Sequence, residues 1–291
     1  MQPDQEVINA WRSSAPYWEK HREVIRQMFA PVTQALIEDA RIGTGDAVLD
    51  VATGPGEPAL TIAALVGHEG KAFGVDPVPE MVEASRRAAE NLGISNAKFE
   101  VAPADRLPVE NNAFDAVVSR FGVMFFPSPV EGVREMLRAL KPGRKLAFAV
   151  WSSADSNPFH YELARVMERF VDTPPPEPDA PDAFRFARPG KLCDVLAEAG
   201  VVAPTERTLH FAIESPLSVE DFWTLRGEMS EKLREKLKTL SPDKLAEVKR
   251  QALEAMRTYS TGHGISFPAE VLIVSGSKDG DRGGGGNALR G

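Results

Sequence analysis

The sequence predicts an α/β fold built on a doubly wound, mostly parallel sheet. Two observations lead to this prediction. Short apolar runs of strand length alternate with amphipathic helical segments between residues 46 and 151, and a glycine-bearing turn follows the first run. The alternation is typical of right-handed βαβ units with helices on both faces of the sheet. Ligands of such sheets bind outside the carboxyl ends of the strands, so the functional site is expected at that edge.

The elements of the first half follow from periodicity. An N-terminal helical cap is predicted over 1–45, with Pro16 and Pro31 breaking it into pieces. Predicted core strands occupy 47–52, 71–76, 97–102, 113–119 and 145–151. Helical segments connect them, and the one that begins at Pro79 is expected to end at Gly93, a common C-cap residue.

The second half is less regular. A proline-rich connection at 173–181 is followed by a predicted helix at 189–199, a strand at 206–213, helices at 218–240 and 242–260, and a last strand at 269–276. One domain is therefore predicted over 46–277. The helical insertion, about 216–262, is expected to roof the ligand edge as a lid. The alternative is that it only covers apolar surface or makes a dimer contact. The Gly-rich tail, 278–291, is predicted to be disordered.

Composition narrows the class of protein. The 291 residues contain 34 Lys and Arg against 42 Asp and Glu, a net charge of −8 that argues against a nucleic-acid partner. The single cysteine, Cys193, excludes an internal disulfide, and no residue spacing suggests a metal site. Apolar runs fall far short of the ~20 residues that span a bilayer, and the first residues lack a signal-peptide pattern. We expect a cytoplasmic monomer or homodimer without stable membrane insertion.

The turn after the first strand has two possible ligands. Gly54-x-Gly56-x-x-Ala59, with Asp76 about 20 residues further on, matches the dinucleotide fingerprint, so an NAD-dependent oxidoreductase has to be considered. A pyrophosphate, however, needs backbone N–H donors and a positive helix end. Pro55 and the proline at position 58 each remove a donor, and the intervening Glu57 adds negative charge.

A cationic nucleoside without phosphates suits the turn better. S-adenosylmethionine has an adenosine, a positively charged sulfur and an amino acid end. Acids are predicted at the carboxyl ends of three successive strands, namely Asp50, Asp76 and Asp105. Carboxylates at these positions are able to accept from an ammonium group, from ribose hydroxyls and from an adenine amino group.

Four segments within about 45–152 carry a family resemblance: VLDVATGPGEPAL, AFGVDPVPEM, APADRLPVENNAFDAVVSRFGVMFFPSP and LRALKPGRKLAFAVW. They resemble the class I S-adenosylmethionine-dependent methyltransferases, most closely the group of the ubiquinone/menaquinone C-methyltransferases. The resemblance implies a Rossmann-like sheet of seven strands whose last strand is antiparallel, with S-adenosylmethionine as cofactor. Pro58 departs from the family pattern, and the C-terminal half matches only loosely.

The resemblance also implies a set of site residues. The methionine part of the cofactor is assigned to the glycine turn, at Asp50, Ala52, Gly54 and Gly56. The adenosine is assigned to Asp76, Pro77, Met81, Ala104, Asp105 and Arg106, with Asp76 on the ribose hydroxyls. The end of the fourth strand, at Ser119, Arg120 and Phe121, is expected to line the floor between cofactor and acceptor.

The acceptor side is predicted from fewer signals. Methyl transfer needs a general base only when the acceptor must lose a proton, and the candidates for that role are His160 and His263. Trp18 and Trp223 are candidates for the substrate pocket, although Trp18 is as readily explained by helix packing. The expected activity is methylation, at carbon or oxygen, of a small aromatic or quinone-like metabolite. A non-catalytic S-adenosylmethionine-binding regulatory protein is the alternative, with the NAD-dependent oxidoreductase behind it.

Overall fold

The computed structural model describes residues 3–172, 177 and 179–280. Most of the proline-rich connection predicted at 173–181 lies outside the described residues, as do residues 281–291 of the predicted tail. None of the helices in the described ranges combines the length and apolar character needed to cross a bilayer.

A mixed sheet forms the centre of the fold, in the strand order β3-β2-β1-β4-β5-β8-β6. Its strands are β1 (Ala47–Val51), β2 (Lys71–Asp76), β3 (Ala97–Val101), β4 (Phe114–Arg120), β5 (Leu140–Trp151), β6 (Val202–Ser215), β7 (Ser260–Thr261) and β8 (Gly264–Ser277). The first five strands are parallel, and β8 lies antiparallel between β5 and β6. This confirms the predicted mostly parallel sheet with an antiparallel last strand. The two-residue β7 adds a short hairpin on β8.

Helices surround this sheet. They are α1 (Pro3–Lys20), α2 (Arg22–Met28), α3 (Ala30–Asp39), α4 (Ala59–Val66), α5 (Pro79–Leu92), α6 (Pro129–Ala139), α7 (Pro158–Met167), α8 (Lys191–Glu198), α9 (Val219–Met229), α10 (Glu231–Lys238) and α11 (Pro242–Arg257). The sheet is packed by α3, α4, α5, α6 and α8. Every residue of β1 is buried, as expected for a parallel strand covered on both faces.

The N-terminal helices break beside Pro31, as predicted, but not at Pro16. Helix α1 runs through Pro16, and the breaks fall at His21 and Phe29. A proline within a helix removes one hydrogen bond and crowds the preceding turn. Neighbouring Ala15 is buried against Met81 of α5, and this packing holds the helix together across the proline. Pro31 stands in the first turn of α3, where proline is tolerated.

The insertion contains three helices where two were predicted. Ser230 follows the end of α9, and its side chain accepts a hydrogen bond from the backbone N–H of Leu233 at 3.3 Å, so a new helix begins there. Ser241 caps α11 ahead of Pro242, as predicted. Phe222 and Leu225 of α9 belong to the same buried cluster as the sheet, so this helix is an integral part of the core.

The domain continues one residue beyond the boundary predicted at 277. The backbone N–H of Lys278 donates to the carbonyl of Arg144 at 2.9 Å, and its Nζ donates to the carbonyl of Leu140 at 2.8 Å. Lys278 is therefore held by β5 rather than belonging to a disordered tail, because the ammonium group finds backbone carbonyls within reach.

Candidate active site

Asp50 lies near the carboxyl end of β1 with one carboxylate oxygen bound and one free. Its Oδ2 accepts from the Thr53 hydroxyl at 2.6 Å and from the backbone N–H of Ala59, the first residue of α4, at 3.1 Å. The other oxygen, Oδ1, is buried and has no hydrogen-bond partner. Burial raises the pKa of Asp50 to about 7 despite these hydrogen bonds. The residue thus holds an unsatisfied acceptor beside the glycine turn.

Asp76 ends β2 and connects that strand to the same turn. Its Oδ2 accepts from the backbone N–H of Gly54, and its Oδ1 accepts from the backbone N–H of Val78, both at 3.0 Å. Each oxygen retains acceptor capacity beyond these bonds. Burial raises the pKa of Asp76 to about 6. The structure therefore brings together Asp76 and Gly54, two of the residues that the resemblance assigns to the cofactor.

The glycine turn is tightly packed and depends on left-handed backbone conformations. Gly54 and Gly56 have φ values of +56° and +105°. A Cβ atom on Gly56 would lie 2.7 Å from Cδ1 of Leu60 and 3.3 Å from Cβ of Ser85. Only glycine fits there without displacing α4 or α5. Ala52, just before the turn, also has a positive φ of 63°, which is uncommon for a residue with a side chain.

The backbone donors of this turn are largely engaged within the protein. Internal acceptors bind the N–H groups of Thr53, Gly54, Gly56 and Ala59. The two prolines of the turn have no N–H at all, and the peptide bond between Glu57 and Pro58 is cis. A pyrophosphate would find few donors here and would face buried carboxylates, which disfavours a dinucleotide.

Three charged side chains meet at the turn, of which Glu57 is buried and the two arginines are partly buried. Glu57 accepts from the Thr61 hydroxyl at 2.6 Å through Oε2, while its Oε1 lies 3.7 Å from Nη1 of Arg22. Arg120 donates to the Thr33 hydroxyl at 2.8 Å and to the carbonyl oxygen of Glu57 at 3.4 Å. Burial lowers the pKa of Arg120, while the negative charges of Glu57 and Asp50 oppose this shift. The predicted floor residue Arg120 therefore supports the turn from below.

Sequence reasoning missed Arg22 and Thr33. Both lie on the N-terminal helices, where an isolated arginine or threonine gives no signal of contact with a turn further along the chain. Their contribution becomes visible only once α2 and α3 are packed against the end of β4.

The residues assigned to adenine occupy the ends of neighbouring strands. Pro77 and Met81 follow β2, whereas Ala104, Asp105 and Arg106 follow β3, which pairs with β2. Met81 is buried against α1, and Asp105 and Arg106 are exposed. The structure thus places both groups at one edge of the sheet, and their contact with adenine stays a prediction.

The ends of β1 and β4 meet closely. Ser119 is buried, and its hydroxyl donates to the carbonyl of Val51 at 2.8 Å. A Cβ atom on Gly122 would lie 2.5 Å from Cβ of Ala52 and 2.7 Å from Oγ of Ser119. The Ser119 hydroxyl therefore joins two strands, and its predicted role toward a cofactor stays a prediction.

Rings gather beyond the ends of β4 and β5 in what we call the aromatic cluster, defined by Phe29, Phe121, Trp151, Phe159, His160, Phe184 and Phe222. Phe121 stacks on Trp151 with 4.6 Å between ring centroids and an interplanar angle of 5°, and Phe29 meets both rings edge-on. Phe121 has a φ of +60°, a strained conformation for an aromatic residue. The stacking on Trp151 fixes the position of its side chain.

The two candidate bases occupy very different surroundings. His160 lies edge-on to Trp151 at 4.5 Å, and its Nε2 is buried without a hydrogen-bond partner. Burial lowers the pKa of His160 well below its usual value, and the charge of Arg226 adds to this effect. His263 is exposed in the hairpin between β7 and β8. Of the two, the structure places only His160 in the aromatic cluster.

The N-terminal helix and the insertion contact each other directly. The Trp18 indole donates to the carbonyl of Met229 at 3.1 Å, and Glu228 accepts from Lys20 at 2.9 Å and contacts Nε2 of His21 at 2.5 Å. Trp223 is buried on α9. These bonds join α1 to α9, so the two predicted covering elements form one layer. The place of Trp18 and Trp223 in a substrate pocket stays a prediction.

The strand order is that of the predicted Rossmann-like sheet, and carboxylates lie at its edge. Residues 48–143 match the family model described as a methyltransferase domain. The match confirms, for this segment, the methyltransferase resemblance of the sequence motifs.

Individual relatives extend this result. The chain is 32% identical over 127 residues to a ubiquinone/menaquinone biosynthesis C-methyltransferase of Geobacter, a match that covers 42% of this chain and 54% of that protein. The chain spans about half the length of the curated relatives it matches.

Solved structures share the fold. The YcgJ protein of Bacillus subtilis matches with a TM-score of 0.54 at 20% identity, over 85% of this chain and 97% of that one. A phosphoethanolamine N-methyltransferase of Haemonchus contortus, solved with S-adenosyl-L-methionine, matches with a TM-score of 0.54 at 14% identity, over 92% of this chain and 60% of that one.

Proposed function

We propose that this protein is an S-adenosylmethionine-dependent methyltransferase that methylates a small aromatic or quinone-like molecule at carbon or oxygen. One observation carries the proposal: a carboxylate-rich glycine turn at the ends of β1 and β2 adjoins an aromatic cluster at the ends of β4 and β5. The first region suits a cationic nucleoside, and the second suits a flat apolar acceptor. The C-methyltransferases that match the first half of the chain support the same reaction class.

The residues at the turn fit the cofactor. Asp50 Oδ1 is a buried acceptor without a partner, as expected for a group that receives an ammonium or a bridged hydrogen bond from a ligand. Asp76 keeps acceptor capacity on both oxygens for ribose hydroxyls. The backbone donors, in contrast, are engaged internally. This donor and acceptor balance is that of a site for a cation and hydroxyls rather than for phosphates.

S-adenosylmethionine supplies a methyl group that is already activated by its positively charged sulfur. The protein therefore has to orient the acceptor and to exclude water. Alignment of two reactants in a fixed geometry can lower a barrier by roughly 7–11 kcal/mol. The stacked rings of Phe121 and Trp151 provide a rigid flat surface for such alignment, and the close contact between Gly122 and Ala52 holds this surface beside the glycine turn.

Proton handling is assigned to His160. Its ring is neutral because burial lowers its pKa, so Nε2 accepts a hydrogen bond from an acceptor hydroxyl in one tautomer and donates a hydrogen bond to an ionised acceptor oxygen in the other. An acceptor that is methylated on a nucleophilic carbon or on an ionised oxygen has little need to lose a proton to His160.

The test is transfer of an isotope-labelled methyl group from S-adenosylmethionine to a panel of phenols, catechols and hydroquinones. We expect turnover with at least one planar aromatic acceptor and its loss in Asp76→Asn. The matched control is Asp194→Asn, a carboxylate that is exposed on α8 and should leave turnover unchanged. Cofactor binding without turnover on any member of the panel would contradict the proposal and favour a regulatory protein.

A further inference from the structure

Two nitrogen-bearing side chains of the aromatic cluster region are buried without hydrogen-bond partners. Arg226 of α9 holds its guanidinium carbon 3.9 Å from the centroid of the Phe159 ring, and its Nε is buried and unpartnered. His160 lies 5.0 Å from the same ring, and its Nε2 is also buried and unpartnered. Both groups therefore contact the Phe159 ring, and each places a nitrogen without a hydrogen-bond partner near it.

Such an arrangement is costly for the folded protein. A buried charge without a partner loses its hydration, and a cation over a ring face recovers only part of that loss. The desolvation is large enough to lower the pKa of Arg226 to about 10. In the part of the chain that the structure describes, Oδ1 of Asp50 at the glycine turn is also buried without a hydrogen-bond partner, whereas Nη1 of Arg22 and Oε1 of Glu57 lie 3.7 Å apart and form an ion pair with each other. The unpartnered groups thus mark the two regions assigned to ligands.

The carboxylate of α7 is already engaged. Glu162 accepts from the Tyr259 hydroxyl at 2.9 Å, and that hydroxyl lies 3.3 Å from the hydroxyl of Tyr161. Within the described residues, Nε of Arg226 has no hydrogen-bond partner, so it remains available to a ligand. A guanidinium binds planar oxygen anions particularly well, because its donors form a rigid fork.

We propose that Arg226 and His160 form the polar end of the acceptor pocket, and that the acceptor is an aromatic molecule carrying an anionic oxygen, either a carboxylate or a phenolate. Arg226 pairs with the anion, and Nε2 of His160 donates a hydrogen bond to it, while the ring of the acceptor packs among the aromatic side chains. The identification of this ligand as the methyl acceptor rests on the proposed function. The anion site itself is testable without any turnover.

The experiment compares two ligands that differ in charge and share a ring. Binding of benzoate and of benzamide to the full chain is measured by ligand-observed NMR titration. We expect benzoate to bind at least roughly tenfold more tightly, the scale of one hydrogen bond to a charged group. In Arg226→Met this preference should vanish while benzamide affinity is retained. The matched control, Arg250→Met, replaces an exposed arginine of α11 and should keep the preference.

Two outcomes would overturn the proposal. One is equal or absent binding of the two ligands by the wild-type protein, and the other is a benzoate preference that survives in Arg226→Met. The thermal midpoint separates ligand recognition from a structural role. Removal of an unpaired buried charge should leave Tm unchanged or raise it, whereas a purely structural arginine would lower Tm and leave the preference intact.

Further measurements identify the favoured anion and distinguish the anion site from the proposed methyltransferase function. His160→Phe should reduce the benzoate preference by a smaller factor than Arg226→Met. A nitrophenol titrated above its own pKa distinguishes phenolate from carboxylate as the favoured anion. Calorimetric titration with S-adenosylhomocysteine is run on the same samples. In the wild type, absence of S-adenosylhomocysteine binding alone would contradict the methyltransferase assignment and leave the anion site standing, and absence of the benzoate preference alone would do the reverse.

Discussion

The two halves of the site are built by opposite means. At the ends of β1 and β2, carboxylates accept hydrogen bonds from donors of the glycine turn, as Asp50 does with Thr53 and Ala59 and as Asp76 does with Gly54. At the ends of β4 and β5, rings from separate elements pack on each other, and within the described residues Nε2 of His160 and Nε of Arg226 have no hydrogen-bond partner. The first half is preorganised by its own turn. The second is assembled by tertiary packing.

This difference points to the half of the site that selects the acceptor. A turn that fixes its own donors and acceptors is suited to a constant ligand, because its geometry depends on a few neighbouring residues. An aromatic cluster drawn from the α2–α3 junction, the ends of β4 and β5, α7 and α9 changes shape with any of those elements. We therefore propose that this cluster selects the acceptor.

The largest expected effect is a loss of cofactor affinity that is confined to the carboxylate half of the site. Asp76→Ala should weaken S-adenosylhomocysteine binding by about 1.5–3 kcal/mol, the scale of a lost hydrogen bond to a charged group. The same variant should leave the benzoate preference unchanged, because Asp76 lies at the other end of the site. Calorimetry gives the first quantity and ligand-observed NMR the second. Unchanged cofactor affinity would refute the ribose assignment.

Stability of the turn provides the next test. Gly56→Ala places a Cβ atom 2.7 Å from Cδ1 of Leu60, so it should lower the free energy of unfolding by about 1–3 kcal/mol. Gly54→Ala is the matched control, because a Cβ atom there meets nothing within 4 Å. It should cost only about 1 kcal/mol for the left-handed backbone. Urea denaturation measures both, and equal losses would contradict the packing argument.

The pH dependence of cofactor binding follows from the same carboxylates. Burial raises the pKa of Asp76 to about 6 and that of Asp50 to about 7. A ligand bound by the ionised forms should bind well above about pH 7 and lose affinity as pH falls through 7 and then 6. In Asp76→Asn, the change of cofactor affinity with pH near pH 6 should disappear. A flat profile between these values would show that neither carboxylate titrates with binding.

Stability without ligand should vary in the opposite direction. The folded state holds these protons more tightly than the unfolded chain, whose aspartates titrate near 3.8. The two groups therefore favour folding at low pH, and their contribution decreases as pH rises from about 4 to about 7. Comparison of unfolding free energies of the wild type and Asp76→Asn across that range isolates the contribution of Asp76. If the unfolding free energy of Asp76→Asn varied with pH as that of the wild type does, the assigned contribution of Asp76 would be contradicted.

The smallest effect concerns the two histidines. His160→Phe should lower kcat/KM for a phenolic acceptor about tenfold, the scale of one lost hydrogen bond. His263→Ala should change it less than about twofold, because this residue is exposed on a hairpin. Steady-state kinetics of the two variants show whether the acceptor half of the site includes His160 and excludes His263. A larger loss of kcat/KM in His263→Ala than in His160→Phe would contradict this assignment.

Most of the fold was predictable, because alternating strands and helices leave a strong local pattern. The same holds for the contact between Gly54 and Asp76, since both follow neighbouring parallel strands. Three contacts of the site were not predictable. The position of Arg120 under the turn and the pairing of Arg22 with Glu57 depend on how α2 and α3 approach the sheet, and periodicity does not encode that approach. The hydrogen bond of Ser119 to Val51 depends on the pairing of β4 with β1.

The acceptor half illustrates the same limit. Phe121 was identified because it ends a predicted strand, whereas Arg226 lies in the middle of a helix whose pattern gave no reason to select it. The unbroken α1 across Pro16 is a further case, in which tertiary packing outweighs a local helix breaker. Local signals thus describe the cofactor edge and leave the acceptor pocket to the assembled structure.

The central claim is that the glycine turn is a site for a cationic nucleoside and not for a dinucleotide. Parallel calorimetric titrations with S-adenosylmethionine, S-adenosylhomocysteine and NAD test it most directly. The structure predicts micromolar binding of the first two and no heat from NAD. Binding of NAD alone would contradict the claim and, with it, the assignment of this protein as a methyltransferase.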